Sequence, residues 1–164
     1  MAAALIEDED VVVVRKTMDA LLLPGETKVH WHGSSTERRP ELVGVVAELP
    51  VCSIIVVHHD LGAADRRHRR KCLEYLLPTL AHMPCDQVAL ESRGTMDRSD
   101  LDILQKFRAR KIITKPLRID HIRGRAEPVL AVADVVCGAI VQHRVGNPGY
   151  LHTLGGLVDI IHII

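Results

Sequence analysis

Two carboxylates occupy positions from which they could bind a metal ion. Glu91 closes the segment Gln87–Glu91, which has the composition of a β-strand, and ligands in open α/β sheets gather beyond the carboxyl ends of strands. Asp134 lies within the apolar run 129–140, where an ionised aspartate is rarely buried without a partner or a metal. These positions predict catalytic and metal-binding roles for both. The alternatives are a solvated strand end for Glu91 and the wet face of a helix for Asp134.

Small residues surround Asp134 on the predicted helix. At 3.6 residues per turn it shares one stripe with Glu127, Ala131, Gly138 and Gln142. A glycine inside a helix costs about 1 kcal/mol relative to alanine. Gly138 therefore favours the close approach of another group, and the small residues would leave room for a metal or a phosphate.

Histidines offer a weaker signal. His30 and His32 are two residues apart in a predicted strand, 28–32, and would share one face of it. A single pair at this spacing can bind a metal, and we expect His30 to line a site. His58 and His59 are adjacent at the end of another predicted strand and face opposite ways, so we expect them to be polar edge residues.

The composition limits the possible functions. The 164 residues indicate one domain, and 47% are apolar, which is enough for a core. The net charge is zero, so nucleic-acid binding would need local patches. The basic clusters at 66–71 and 106–115 are typical of solvated faces, and the alternative is that they contact phosphates. Four widely spaced cysteines argue against a zinc ribbon or a disulfide framework and favour a cytoplasmic protein. No run is long enough to cross a bilayer, and no Gly-rich phosphate loop or GxSxG motif occurs.

Alternating apolar patterns predict the elements that would position these residues. We expect an α/β layered domain, with Ser99 capping one helix and Pro78 kinking another or ending it early. The tail 157–164 is apolar and β-branched. Strands are predicted at 1–6, 28–32, 52–58, 87–91 and 117–122, and helices at 10–23, 40–49, 65–83, 99–110 and 128–144.

Three pieces of the chain are similar to a known family. They are Lys28-Val29-His30-Trp31, Glu91-Ser92-Arg93 and Ala131-Val132-Ala133-Asp134-Val135-Val136-Cys137-Gly138-Ala139. In order and spacing they resemble the domain-of-unknown-function 3800 family, over roughly residues 1–144. The resemblance implies an RNase H-like fold, with a mixed central sheet flanked by helices.

The resemblance also implies a metal-dependent nuclease or phosphodiester hydrolase. Glu91 and Asp134 would be members of an acid cluster that holds Mg²⁺ or Mn²⁺, in which paired metals lie about 4 Å apart and activate water. Asp97, Asp120 and His121 are further candidate ligands. Lys28, His30 and Arg93 are candidate substrate-binding residues, with nucleic acid as the implied partner.

One part of the family pattern has no counterpart here. Members begin with an Asp-bearing strand, whereas residues 1–6 correspond to their second strand. The alternative function is therefore a non-catalytic, degenerate member that acts as an interaction module. We expect a stable chain to fill the gap by shifting its first strand, by adding the tail 157–164 as a strand, or by forming a homo-oligomer.

Overall fold

A computed structural model describes all 164 residues and confirms the α/β class. Buried apolar faces and turn residues delimit most elements, as the sequence predicts. The strands are β1 (Ala2–Leu5), β2 (Cys52–His58), β3 (Gln87–Glu91), β4 (Arg118–Ile122) and β5 (Val158–Ile163). The helices are α1 (Val11–Ala20), α2 (Arg39–Glu48), α3 (Asp65–His82), α4 (Asp97–Ala109), α5 (Leu130–Arg144) and α6 (Gly149–Leu154).

The strands form two sheets. β2 lies between β1 and β5, and β1 is antiparallel to it, with Ala2 opposite Ile55 and Leu5 opposite Cys52. All of β2 after Cys52 is buried, as its continuous β-branched run predicts. β3 and β4 form a parallel pair in which Leu90 is opposite His121.

The chain divides into two compact units. The first comprises Met1, residues 56–123 and residues 161–164, and the second comprises residues 2–55 and 124–160. The prediction of a single domain stays a prediction. The core of the first unit joins α3 and α4 to the β3–β4 pair, with Leu73, Leu77, Ile103, Leu104, Leu117 and Ile119 among its buried residues.

The second unit is built around α5. This helix contacts β1, α2 and α6, and α2 also contacts α6. Buried aliphatic residues of α5, including Val132, Val135 and Val136, supply its share of the core. A helix buried on several sides must be apolar around most of its circumference, which explains the long run of small and branched residues in the sequence.

Four details differ from the sequence-based expectations. The strand predicted at 28–32 is wrong, because that segment is an irregular loop whose polar groups bond to α5 rather than to a neighbouring strand. Ser99 does not cap α4, which begins at Asp97. α3 continues past Pro78 to His82, so an early end is wrong. The short helix α6 was not predicted.

The apolar tail forms β5, beside β2. In the first unit, the backbone N–H of His59 donates to the carbonyl of Ile163 over 2.9 Å. None of the helices is both long and apolar enough to cross a membrane.

Candidate metal centre

Three metal-ligating side chains converge near the carboxyl ends of β3 and β4. Asp97 and Asp100 lie in the first turn of α4, and His121 lies near the end of β4. One ligand atom from each falls within 4.8 Å of the other two. Parallel pairing places the two strand ends at one edge, and α4 starts just beyond β3. This is where α/β folds place ligands.

The turn between β3 and α4 holds Asp97. The Ser92 hydroxyl donates to Asp97 Oδ2 over 2.6 Å, and the Arg93 backbone N–H donates to Oδ1 over 2.7 Å. These two hydrogen bonds, of which the one from Ser92 has the larger effect, lower the pKa of Asp97 below its usual value. A carboxylate that accepts such bonds stays ionised at neutral pH, as a metal ligand must.

Asp100 is the most deeply buried member of the cluster. Its side chain is 3% exposed, and Arg69 of α3, 10% exposed, lies against it. Arg69 Nη2 donates to Oδ2 over 2.6 Å, and Nε donates to Oδ1 over 3.0 Å. Buried acids require such compensation. The positive charge of Arg69 balances the negative charge of Asp100. When His121 is neutral, the cluster therefore keeps one net negative charge, that of Asp97.

His121 connects β4 to α4. Its Nε2 lies 2.9 Å from Asp100 Oδ2 and 4.0 Å from Asp97 Oδ1. An ionised carboxylate only accepts hydrogen bonds, so Nε2 carries a proton in this contact. To bind a metal through Nε2, the ring must hold its proton on Nδ1 instead. The donor set of two carboxylates and one imidazole fits a divalent ion with mixed N/O preference, such as Mn²⁺, better than the all-oxygen sites typical of Mg²⁺.

Two predicted residues of the first unit flank this cluster. Glu91 is exposed at the last position of β3, next to Ser92. The backbone N–H of Arg93 donates a hydrogen bond to Asp97, and the residue is exposed. Both belong to the segment that leads from β3 into α4. Leu90 is the residue opposite His121, so the side chain of Glu91, one position further on, faces the other side of the strand pair and away from the cluster.

Asp120 has a different environment from its neighbour His121. Its carboxylate accepts hydrogen bonds from Gln87 Nε2, 2.8 Å away, and from Arg118 Nε, 3.0 Å away. Adjacent residues of a strand point to opposite faces, so Asp120 faces away from the Asp97–Asp100–His121 cluster. Of the three further candidate ligands, the structure brings together only Asp97 and His121.

The other predicted acid, Asp134, belongs to the second unit. Its Oδ2 lies 2.6 Å from His30 Nδ1 and accepts the backbone N–H of Trp31 over 2.9 Å. Asp134 thus fastens the 28–32 loop to α5. Lys28 lies in the same loop, half-buried. The pairing of Glu91 with Asp134 in one metal site stays a prediction.

Gly138 is approached closely, but by an aromatic ring. A Cβ at this position would lie 2.2–2.3 Å from three ring atoms of Trp31. The ring also meets Tyr150 edge-on at 5.3 Å and lies 5.1 Å from the Arg39 guanidinium carbon. The space that we expected for a metal or a phosphate beside Gly138 is therefore filled by the indole.

Sequence reasoning missed Asp100, Arg69 and Ser92. The spacing of Asp97 and Asp100, three residues apart, could have indicated a shared helix face. Arg69 belongs to the basic run 66–71, whose composition is typical of a solvated helix face. Its role depends on the packing of α3 against α4, which no local pattern reports.

Comparison of the chain with protein-family models, with curated proteins and with solved structures found no match. The resemblance to the domain-of-unknown-function 3800 family, and the RNase H-like topology it implies, stay predictions.

Proposed function

We propose that this protein is a divalent-metal-dependent phosphodiester hydrolase of nuclease type. Its metal site is the Asp97–Asp100–His121 cluster, which lies beyond the carboxyl ends of β3 and β4. The observation that carries the proposal is the convergence of three ligand atoms within 4.8 Å at the carboxyl end of a parallel strand pair. Mn²⁺ is the favoured ion, because the cluster contains an imidazole.

The residues around the cluster have distinct tasks in this proposal. A bound ion would polarise a phosphoryl oxygen and generate hydroxide from water at neutral pH. Ser92 and the Arg93 N–H hold Asp97 ionised and oriented. Arg69 orients Asp100 and limits the repulsion between the two acids. The side chain of Arg93 is exposed beside the cluster and would contact a substrate phosphate.

Two variants test the site directly. The full chain is first freed of metal with a chelator. Its melting temperature is then measured with and without Mn²⁺ or Mg²⁺, and cleavage of single- and double-stranded DNA and RNA is assayed under the same conditions. A ligand present at 100 times its Kd adds about 2.7 kcal/mol of stability. We expect this shift and any cleavage in the native chain, and their loss in Asp97→Asn and His121→Ala.

Asp120→Asn is the matched control, because it removes an acid next to His121 that faces away from the cluster. It should keep both the melting shift and the cleavage. Glu91→Gln combined with Asp134→Asn tests the other predicted pair. If this double variant abolishes cleavage while Asp97→Asn does not, the cluster is the wrong site.

A second candidate function, a non-catalytic interaction module, is favoured by the bond between Arg69 and Asp100. A buried guanidinium on a carboxylate is also the arrangement of a structural ion pair. Under this proposal neither ion changes the melting temperature and no substrate is cleaved. The mass of the particle in solution, measured by light scattering, would then establish whether a second copy is the partner.

A further inference from the structure

Two pairs of histidines lie at the end of β2, and the proposed hydrolase site uses neither. His58 Nδ1 lies 2.9 Å from His68 Nδ1, and His59 Nε2 lies 2.7 Å from His162 Nδ1. All four residues belong to the first unit. Neutral imidazoles can hydrogen-bond in this way, but the same nitrogen lone pairs are the usual ligands of Zn²⁺, Ni²⁺ and Cu²⁺.

The pair formed by His59 and His162 has the geometry of a chelate. Both residues are exposed, so an ion can reach them without desolvation of a buried cavity. The His59 N–H bond to Ile163 holds the two backbones side by side, and the ring centroids are 4.9 Å apart, with 32° between the planes. Nitrogens that share a tetrahedral zinc at about 2.0–2.1 Å lie roughly 3.3 Å apart, so the rings need to separate only slightly.

We propose that His59 and His162 form a second metal site, which takes a divalent transition-metal ion with water in the remaining positions. In the free pair, one ring N–H donates to the lone pair of the other ring. When the ion takes both lone pairs, that hydrogen moves to the other nitrogen of its own ring. The imidazoles stay neutral, and the ion fastens the C-terminal strand β5 to the end of β2.

The pair formed by His58 and His68 provides the internal comparison. His58 is buried, and burial is the largest cause that lowers its pKa, followed by the charge of His68. Asp60 opposes this shift, while Lys71 and Arg67 add to it. A pair in which one ring is buried and cations lie nearby is a poor site for a further cation. We therefore expect it to remain a hydrogen-bonded pair.

The test is titration of the full, chelator-treated chain with Zn²⁺ and Ni²⁺ by calorimetry. His59→Ala and His162→Ala should each weaken binding at this site by about tenfold or more, because a chelate becomes a single ligand. His68→Ala should retain the native affinity. His121→Ala should also retain it, which separates this site from the Asp97–Asp100–His121 cluster.

Hydrogen exchange gives a second readout. The ion should slow exchange of the His59 amide and of β5 amides in the native chain, and should have no such effect in His162→Ala. Equal affinity in the native chain and in His162→Ala would overturn the proposal. So would a loss of binding in His68→Ala equal to that in His162→Ala.

Discussion

The indole of Trp31 occupies the space that Gly138 leaves on α5. The two residues are far apart in the sequence, and the loop that carries Trp31 is fastened by Asp134 one helical turn away from Gly138. The helix tolerates the unfavourable propensity of glycine because a large ring is buried in return. At this position the requirement for glycine is steric.

Gly138→Ala should therefore destabilise the protein. The added Cβ would lie within 2.3 Å of Trp31 ring carbons, so the ring must move, at a typical overpacking cost of about 1–3 kcal/mol. Gly44→Ala in α2 is the control, since its Cβ would meet nothing within 4 Å and alanine favours the helix by about 0.5–1 kcal/mol. Urea unfolding measures both. Equal effects of the two substitutions would contradict the packing argument.

The ion pair between Arg15 and Glu127 should make stability depend on pH. Two hydrogen bonds of 3.0 and 2.7 Å join the side chains. The bonding from Arg15 is the main cause that lowers the pKa of Glu127, with help from the Val129 N–H. A lowered folded-state pKa adds stability above the unfolded pKa, and this stability is lost as pH falls through the folded value.

The expected difference between the native chain and Glu127→Gln is below about 1 kcal/mol at pH 7, because Arg15 is 41% exposed. That difference should shrink as the pH falls from roughly 5 to 3. Urea unfolding at a series of pH values measures it. A difference that grows in acid would show that the carboxylate is not the stabilising form.

The contacts among α3, α4 and β4 depend on a buried polar network. The network consists of Arg69 from α3, Asp100 from α4 and His121 from β4. Asp100→Ala should cost about 3–5 kcal/mol, since it leaves the Arg69 guanidinium buried without its carboxylate. The double variant Arg69→Met with Asp100→Leu should cost less, because no charge then remains buried. Urea unfolding of both variants decides. A double variant less stable than Asp100→Ala would show that packing, not charge, dominates here.

Strand β5 should be required for stability. Deleting residues 157–164 removes its pairing with β2 and should cost at least about 2 kcal/mol, or roughly 4–8 °C in melting temperature. Ile164→Ser is the control, because that side chain is 95% exposed. A deletion that melts like this control would show that β5 contributes nothing.

The charge of the whole chain opposes strong nucleic-acid binding. Positive and negative residues are equal in number. Within the basic run of α3, Arg67 pairs with Asp60, Arg69 with Asp100, and Arg70 with Glu74. Arg69 is buried in its pair rather than solvated, and the pairing of all three cations argues against phosphate binding by this run. A nucleic-acid substrate of the proposed hydrolase would then be held mainly at the Asp97–Asp100–His121 cluster.

Binding to duplex DNA should consequently show a shallow salt dependence. With about three phosphates neutralised or fewer, the slope of log K against log salt should be no steeper than about −3. Fluorescence anisotropy of a labelled duplex between low and physiological salt measures this slope. A slope near −6 or steeper would reveal a basic surface that the ion pairs do not cancel.

The sequence by itself determined most elements of this protein. β2 and β3 have the predicted bounds, and α2 and α5 differ by only one or two residues, because apolar periodicity, prolines and glycines act locally. The same patterns identified Glu91 and Asp134 as acids at the ends or on the faces of elements. They also predicted that another group approaches α5 closely at Gly138.

Only the tertiary structure decided which of these residues meet. The parallel register of β3 and β4 and the start of α4 bring Asp97 and Asp100 to His121, while the same strand turns Asp120 away. Asp134 became the anchor of a loop, and the predicted strand at 28–32 was lost, since bonds to α5 replaced a sheet. Contacts between residues distant in sequence depend on packing and strand register, and neither can be predicted from local sequence patterns.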